Sequence, residues 1–262
     1  MDVFDFVPEK PILDGRQIRI IIPTASLDSR TFKKCLTHIN ETPLPKDSIV
    51  TAVVSNGPDF CFSKSINAGL SRVSVEDILL LNDDCYIDPN AVRNLVSSLA
   101  HNDGIVGGVL RYEDGRIQHY GGVVKSSFLS ILSADTANNA PFYAIRSYFK
   151  AHQIGTKYIR TYHYTRKNEG PIDYVTGALF FIRNEAFKDI GFMDENLVND
   201  WEDLDYCLRA QKKGYAVRVQ DDVTAIHQEH VSLKELKQNS FEKLKVFNEK
   251  WGEKDLSDVL HR

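Results

Sequence analysis

Short runs of apolar residues alternate with amphipathic segments through the first half of this 262-residue chain. The apolar runs are rich in β-branched side chains and are followed by Pro, Gly, Asn or Asp, which is typical of buried strands. The pattern predicts strands and helices at these positions: strands at 18–24, 48–54, 78–81 and 104–110, and helices at about 28–40, 63–72 and 89–101. Strand and helix in alternation, joined by short loops, predict an α/β fold with a mostly parallel sheet and right-handed crossovers.

The second half of the chain has a less regular pattern. The Asp-Gly pair within 113–116 predicts a hairpin turn, because that pair favours the positive φ of a tight turn. The other predicted elements follow in order: a return strand at 117–124, a bent strand or strand pair at 172–182, a helix capped by Asn184 and ended by Gly191, a helix at 202–213, strands at 216–219 and 223–226, and an amphipathic helix at about 232–251. Residues 1–16 are expected to form an irregular lead-in, and Asp88 and Pro89 to begin the third helix.

The chain is expected to form one domain with no linker inside it. Within it, residues 18–124 form one half, 125–231 a second half with a smaller antiparallel region, and 232–262 a C-terminal helix. Residues 125–170 lack clear periodicity and are aromatic and basic between 143 and 167. A stretch of this length is either a functional surface that receives a substrate or an insertion without a fixed structure.

Composition excludes several classes of protein. Hydrophobic residues make up 42% and charged residues 26% of the chain, and the formal net charge is −4, so bulk attraction to nucleic acid is not expected. No apolar run approaches the ~20 residues of a transmembrane helix, and the acidic N-terminus does not resemble a signal peptide. The four cysteines are scattered, which argues against a zinc site or a disulfide framework. A cytoplasmic location fits best, and peripheral contact with the inner face of the membrane is left open.

An acidic tip of three polar residues, Asn82, Asp83 and Asp84, follows the most apolar of the predicted strands. In open α/β sheets, ligands bind at the carboxyl ends of the strands. Two adjacent carboxylates repel each other unless a cation or hydroxyl groups satisfy them, and oxygen ligands of this kind suit Mg²⁺ or Mn²⁺ carrying a diphosphate. The alternative is an ordinary turn before the next helix, since Asn and Asp are common turn residues.

Two further polar pairs complete a set that could support metal-assisted group transfer. Glu202 and Asp203 open a predicted helix, and His227 and His230 follow the last predicted strand. A carboxylate and an imidazole could hold a cation that neutralises a departing diphosphate, while a second carboxylate takes a proton from an attacking hydroxyl. Each pair also has a structural explanation, because acids stabilise a helix N-terminus and a histidine at a strand end is often part of the core. Dinucleotide-binding, P-loop and Gly-x-Ser-x-Gly motifs are absent from the sequence.

Several motifs occur in an order that resembles family 2 glycosyltransferases of the GT-A fold, over about residues 18–233. They are IIIPT at 20–24, VVSNG at 53–57, SINAGL at 65–70, LLLNDD at 79–84, GRIQHYGG at 115–122, VTGALFFIR at 175–183, GFMDE at 191–195 and WEDLDYCLR at 201–209. Each motif is weak alone, and their order on the predicted elements is the specific signal. Within the family, the chain is most similar to bacterial enzymes of surface polysaccharide synthesis, rhamnosyltransferase-like ones among them.

The resemblance implies a role for each matching residue. Asp84 would bind a divalent metal, Mn²⁺ or Mg²⁺, on the donor diphosphate, and His227 would complete the metal site. Asp203 would be the base that deprotonates the acceptor hydroxyl for inverting attack, with Glu202 as the second choice. The residues implied to contact the nucleotide-sugar donor are Pro23, Thr24, Ser55, Asn67, Asn82, Asp83, Gly177 and Ala178, of which Asp83 would hold the ribose.

Two departures from the family pattern leave the donor base open. Ser55 stands where the family usually has an Asp that contacts a pyrimidine, and Thr24-Ala25-Ser26 lacks the usual aromatic and Asn residues. The identity of the base is therefore open, with UDP- and dTDP-linked sugars ranked ahead of GDP-linked ones. The implied acceptor is a hydroxyl of a glycan or a lipid-linked glycan.

Three other functions compete with sugar transfer. A nucleotidyltransferase shares a similar sheet and acidic metal site, but normally has a Gly-rich loop after the first strand, and residues 23–30 contain no Gly. A non-catalytic glycan-binding domain would not need the metal, and a hydrolase would not need an acceptor surface at 143–167.

Overall fold

The computed structural model describes residues 1–8, 12–57, 60–128, 157–197 and 201–228, together with 246–247, 249–251, 256 and 259. Its strands are β1 (Asp2–Phe6), β2 (Ile12–Leu13), β3 (Ile18–Thr24), β4 (Leu44–Pro45), β5 (Ile49–Val54), β6 (Asp77–Leu81), β7 (Cys85–Ile87), β8 (Asp103–Arg111), β9 (Ile117–His119), β10 (Gly122–Phe128), β11 (Lys157–His163), β12 (Leu179–Ile182) and β13 (Ala216–His227). The helices are α1 (Arg30–Glu41), α2 (Phe62–Leu70), α3 (Ala91–Ser98), α4 (Asn184–Ile190) and α5 (Glu202–Lys212).

A nine-stranded central sheet organises the molecule, in the order β1-β5-β3-β6-β12-β8-β13-β7, with β9 paired to β8. The strands β5, β3 and β6 are mutually parallel, and β12 enters antiparallel between β6 and β8. The strands β10 and β11 form a separate antiparallel pair. The predicted α/β architecture with a smaller antiparallel region is therefore confirmed. The carboxyl ends of β5, β3 and β6 lie at the same edge of the sheet.

Apolar side chains cover both faces of the central sheet, so the sheet lies between two hydrophobic cores. Every residue of β3 is buried, and successive isoleucines point to opposite sides. Ile21 belongs to the core on the side of α2 and α5, whereas Ile20 and Ile22 belong to the core on the side of α1 and α3. Burying such side chains provides most of the favourable free energy of folding, at roughly 25 cal/mol per Å² of apolar area.

The chain begins with a strand, which corrects the predicted irregular lead-in over residues 1–16. β1 pairs antiparallel with β5 at the edge of the sheet. Asp5 on β1 accepts hydrogen bonds from Thr51 at 2.7 Å and from the buried Arg19 at 3.2 Å. β1 is a strand because it pairs with the distant β5. Local sequence patterns do not indicate pairing of this kind.

The third helix begins later than predicted. Asn90 is its N-cap and Ala91 its first residue, because residues 88–91 form a turn in which the backbone N–H of Ala91 donates to the carbonyl of Asp88 at 2.9 Å. Asp88 instead accepts a hydrogen bond from the backbone N–H of Asn90 at 2.9 Å, which closes a local turn before the helix.

Four other boundaries also differ from the prediction. The segment 117–124 is divided between two sheets at Gly121, whose φ of +70° turns the chain. The predicted strands at 216–219 and 223–226 form the single strand β13, with an irregularity between Gln220 and Thr224. Gly177 lies in the turn before β12, not inside a strand. Asn184 is the first residue of α4 and its amide donates to the carbonyl of Glu76 at 2.9 Å, so it does not cap the helix.

Most of the predicted C-terminal helix lies outside the described residues. Phe247 and Trp251 are both buried and belong to the core on the side of α5. These two described residues of the C-terminal segment therefore pack on their own chain. Among the described residues, no helix is long and apolar enough to cross a membrane.

Candidate active site

The acidic tip after β6 lies beside the end of β3. The hydroxyl of Thr24 donates to Oδ2 of Asp83 at 2.7 Å. The hydroxyl of Thr31, in the first turn of α1, reaches the same oxygen at 3.3 Å. The backbone N–H of Ser55, after β5, donates to the carbonyl of Thr24 at 2.9 Å. The ends of three parallel strands therefore converge near Asp83, at the edge where such sheets bind ligands.

The surroundings of Asp83 disfavour its charged form. Burial raises the pKa of Asp83 above its ordinary value, the hydrogen bond from Thr24 opposes this rise, and the neighbouring Asp84 carboxylate adds to it. A ligand that donates hydrogen bonds or carries positive charge would stabilise the ionised carboxylate. The tip is therefore suited to a hydroxyl-bearing group or a cation.

Asp84 and His227 face each other where β7 pairs with β13. Oδ1 of Asp84 lies 3.3 Å from Nε2 of His227. This contact follows from the strand register, in which His227 is the partner of Cys85. The other ring nitrogen of His227, Nδ1, lies 2.8 Å from Oε1 of Gln118. The predicted metal-binding pair is thus brought together although 143 positions separate its members in the sequence.

These two side chains fit a divalent cation that is bound together with its substrate. Carboxylate oxygen suits Mg²⁺ and Mn²⁺, and imidazole is the commonest metal ligand among protein side chains. Within the described parts of the chain, no group of three or more His, Cys, Asp or Glu side chains could hold a metal ion. The remaining positions would be taken by water and phosphate oxygens, as is usual for Mg²⁺ sites that carry phosphates.

A turn before β12 connects the acidic tip to the N-terminus of α5. The backbone N–H of Asn82 donates to the carbonyl of Ala178 at 3.2 Å. The backbone N–H of Gly177 donates to Oδ2 of Asp203 at 3.1 Å. Asp203 is half-buried in the first turn of α5. The predicted base, donor-contacting turn and acidic tip therefore form one hydrogen-bonded series.

Glu202, the alternative base, is more buried than its neighbour, with 8% of its surface exposed. It follows Trp201, whose φ of +71° places a bulky residue in the left-handed region. This conformation is costly for such a side chain and persists only where the surroundings enforce it. The ring of Trp201 packs on that of Phe247, with centroids 5.0 Å apart.

The C-terminal segment also holds α5 through a fully buried carboxylate. Oδ1 of Asp205 accepts a hydrogen bond from the indole N–H of Trp251 at 2.8 Å and lies 2.9 Å from Nζ of Lys250. Oδ2 accepts a hydrogen bond from Arg209 at 2.8 Å. The partners of Asp205 therefore fix the first turns of the helix that carries Glu202 and Asp203.

Asn67 is held by the loop after α4. Its amide nitrogen donates to the carbonyl of Met193 and to Glu195, both at 2.9 Å, and its amide oxygen accepts from the N–H of Met193 at 2.9 Å. Pro23 lies next to Thr24 at the end of β3, opposite Val53. The roles of Asn67 and Pro23 in donor binding remain predictions.

An aromatic group of three residues, His119, His163 and Tyr174, connects β9, β11 and the segment before β12. The rings of His119 and His163 are stacked with centroids 5.5 Å apart, and Tyr174 meets His119 edge-on at 5.9 Å. Burial lowers the pKa of His119 to about 3, and His163 and His227 add to this effect. His119 is therefore neutral at physiological pH.

Sequence reasoning missed three residues that support the site: Thr31, Gln118 and Asp205. Gln118 and Asp205 lie inside motifs that carry the resemblance, but only tertiary contacts reveal what their side chains do. Thr31 shows no signal in the sequence. His230 and the aromatic-basic residues at 143–156 lie outside the described residues.

Comparison with protein families finds one match that spans most of the chain. The family described as "Glycosyltransferase like family 2" matches residues 28–243. Among individual proteins, an uncharacterized protein, y4gI, of Sinorhizobium fredii (strain NBRC 101917 / NGR234) is 28% identical over 169 residues. That alignment covers 62% of this chain and 16% of the relative, so the chain spans only a small part of that protein.

Solved glycosyltransferase structures share the fold at low sequence identity. The catalytic domain of Drosophila β1,4-galactosyltransferase 7, in complex with xylobiose, has a TM-score of 0.54 at 12% identity, covering 88% of this chain and 79% of that one. A mannosyltransferase of Pyrobaculum calidifontis, with GDP-Man and Mn²⁺, has a TM-score of 0.54 at 11% identity, covering 97% and 72%. TarS of S. aureus (residues 1–349), with UDP-GlcNAc, has a TM-score of 0.55 at 14% identity, covering 93% and 67%. The fold is GT-A, as the sequence predicts.

Proposed function

Because the chain belongs to glycosyltransferase-like family 2, we propose that it is a metal-dependent, inverting glycosyltransferase. It moves a sugar from a nucleoside diphosphate to a hydroxyl of a glycan or a lipid-linked glycan. UDP- or dTDP-linked donors are favoured, and a rhamnosyltransferase-like role in surface polysaccharide synthesis is the most specific form of the proposal. Residues 18–124 serve mainly the donor and 125–231 the acceptor and catalysis, in the cytoplasm or at the inner face of the membrane.

One structural observation carries this proposal. A continuous series of contacts joins Asp203, through Gly177 and Ala178, to the acidic tip, and Asp84 in that tip faces His227. The proposed proton acceptor and the proposed cation-binding pair are thus connected through one turn. The arrangement supports group transfer from a diphosphate, because one group can activate the nucleophile while a separate cation stabilises the leaving group.

The donor is bound along the strand ends. Asp83 accepts hydrogen bonds from the ribose hydroxyls, in the way it accepts them from Thr24 and Thr31. The other residues that line the donor site are Pro23, Ser55, Asn67, Asn82, Gly177 and Ala178. A divalent cation, Mn²⁺ or Mg²⁺, held by Asp84 and His227, would neutralise charge on the departing diphosphate.

Asp203 then acts on the acceptor. Its carboxylate takes the proton of the acceptor hydroxyl while the hydroxyl oxygen bonds to the anomeric carbon of the sugar. The bond from that carbon to the diphosphate breaks on the opposite side, so the anomeric configuration inverts. The backbone N–H groups of Gly177 and Leu204 donate to the two oxygens of Asp203. These bonds orient the carboxylate toward its substrate and suit its ionised form.

Thermal unfolding in the presence of nucleotides is the test. UDP, dTDP and GDP are added in turn, each with Mn²⁺ and with EDTA, to the wild type and to Asp84→Ala. A ligand at 100 times its dissociation constant adds ~2.7 kcal/mol of stability, which raises the midpoint by several degrees in a domain of this size. We expect a metal-dependent shift with one nucleotide that is lost in Asp84→Ala. No shift with any nucleotide would refute a nucleotide-sugar site.

Product analysis separates the proposed reaction from its rivals. If a sugar is transferred, incubation with the matching nucleotide sugar and an acceptor yields a nucleoside diphosphate and a glycosylated acceptor, whereas a hydrolase yields a nucleoside diphosphate and free sugar without any acceptor. A nucleotidyltransferase, given a nucleoside triphosphate and a sugar phosphate, releases pyrophosphate instead. Binding of the nucleotide with no turnover in either assay would identify a binding domain.

A further inference from the structure

Gln118 makes two contacts with one residue, His227. Its amide nitrogen donates to the backbone carbonyl of His227 at 3.3 Å, and its amide oxygen lies 2.8 Å from Nδ1 of the same residue. Gln118 is buried, with 7% of its surface exposed. A side chain that contacts both the backbone and the ring of one residue fixes the position and the rotation of that ring.

The first contact determines the chemistry of the second. Because the amide nitrogen of Gln118 faces a carbonyl, its amide oxygen must be the atom that faces Nδ1. An oxygen in that position only accepts, so Nδ1 of His227 must carry the hydrogen. In a neutral imidazole, the lone pair is then on Nε2, which is the nitrogen 3.3 Å from Asp84.

We propose that Gln118 is a positioning residue that makes His227 a metal ligand through Nε2. This inference deepens the proposed function and rests on it. It assigns a role to a residue that itself touches neither the metal nor the substrate. Histidines that bind metals generally donate their other N–H to an acceptor, which fixes the tautomer and raises the basicity of the ligating nitrogen.

The fold explains why Gln118 is available for this task. It lies on β9, which pairs with β8, and β8 also pairs with β13, the strand that ends at His227. Gly121, with φ of +70°, turns the chain out of β9 toward the second sheet. The hairpin therefore places the amide of Gln118 beside the end of β13.

Three variants test the proposal. Gln118→Leu removes the acceptor for Nδ1–H, whereas Gln118→Glu keeps an acceptor oxygen there but sets its other oxygen against the carbonyl of His227. If Gln118 only stabilises the fold, Gln118→Glu should be the more damaging change, because it sets a carboxylate oxygen against a carbonyl. If Gln118 positions His227, Gln118→Leu should weaken metal binding more than Gln118→Glu does. Gln211→Leu is the control, because Gln211 also donates from its side chain to a backbone carbonyl, that of Asp173 at 2.7 Å.

Two measurements are made on the full chain. Free Mn²⁺ is followed by electron paramagnetic resonance while Mn²⁺ is titrated into the protein, alone and with UDP or the nucleotide that stabilises the wild type. The tautomer of His227 is read from ¹⁵N–¹H correlations of the imidazole in the metal-free protein at a pH well above the ordinary pKa of histidine, where the ring carries a single N–H, with His227→Gln used to assign the signal.

We expect Gln118→Leu to bind Mn²⁺ roughly 10- to 100-fold more weakly and to lose the pure Nδ1–H tautomer. Gln118→Glu should retain most of the affinity, and Gln211→Leu should equal the wild type. Unchanged Mn²⁺ affinity in Gln118→Leu, or an Nε2–H tautomer in the wild type, would overturn the inference while leaving the proposed function intact. A wild type that binds no Mn²⁺ under either condition would overturn both.

Discussion

Gly177 holds Asp203 through a hydrogen bond of 3.1 Å from its backbone N–H to Oδ2 of the carboxylate. Because the donor is a backbone group, the contact does not depend on the side chain at position 177. The bond belongs to the turn before β12, whose Ala178 carbonyl also receives the N–H of Asn82. The position of the proposed base is therefore set by the same turn that borders the acidic tip.

Replacing the proposed base should strongly slow transfer and leave donor binding largely intact. Asp203→Asn keeps an oxygen for the Gly177 N–H, loses the acceptor for the Leu204 N–H and cannot take up a proton, and loss of a general base typically lowers kcat about 10²- to 10⁴-fold. Glu202→Gln should have a smaller effect. Initial rates of nucleoside diphosphate release measure the loss, with the nucleotide-dependent thermal shift as the control. A larger loss in Glu202→Gln would reverse the assignment of the base.

Two glycines near the site should respond differently to alanine. At Gly108, an added Cβ would clash with Cδ2 of Leu179 and lie 2.6 Å from the carbonyl oxygen of Val223. Overpacking of this kind costs about 1–3 kcal/mol, so urea denaturation of Gly108→Ala should show a clearly lower midpoint.

At Gly177, the nearest atoms to an added Cβ are Cε1 and Cζ of Phe62, both at 3.3 Å. Gly177→Ala should lose little stability, but its methyl group would stand where the donor sugar is proposed to approach the backbone. We therefore expect KM for the donor to rise more than kcat falls. An unchanged KM would place the sugar elsewhere.

The C-terminal segment should stabilise the helix that carries the base. Trp251→Phe keeps an aromatic ring but removes the N–H that donates to the fully buried Asp205. Losing a hydrogen bond to a buried charged group costs about 1–3 kcal/mol. Urea denaturation should show this loss, with the exposed Lys213→Gln as a control expected to stay within ~0.5 kcal/mol of the wild type.

His119 should make the protein sensitive to acid. Its pKa is about 3 in the folded chain because of burial, and about 6.5 in an unfolded chain. Between these values the unfolded state binds more protons than the folded state. The contribution of His119 to the free energy of unfolding is therefore fully present above about pH 6.5 and is lost as the pH decreases toward 3. His119→Gln cannot be protonated, so its free energy of unfolding should fall less steeply over this range.

The acid response is measured by urea denaturation from pH 7.5 to 4.5. All other titrating groups are common to both proteins, so the difference between the two curves isolates His119. Parallel curves would show that its ring is protonated equally in the folded and unfolded states.

The sequence by itself determined the parallel half of the sheet and the candidate residues at its carboxyl edge. The apolar runs of β3, β5 and β6 and the capped helix α1 are local patterns, and Ser29 accepts from the N–H of Phe32 at 3.1 Å as a cap should. Motif order then identified the acidic tip, Glu202, Asp203 and His227. These signals are readable because burial on both faces and helix capping constrain residue types within a few positions of one another.

Only the tertiary structure decided which of these residues meet and what holds them. β1 exists because β5 pairs with it, and β13 is one strand because β8 pairs with it on both sides of the irregularity between Gln220 and Thr224. Asp84 meets His227, and Gln118 orients that histidine, through pairing of segments more than a hundred residues apart. Local periodicity records which side chains are buried, but the register between distant strands depends on the packing of the whole sheet, so these contacts could not be read from the sequence.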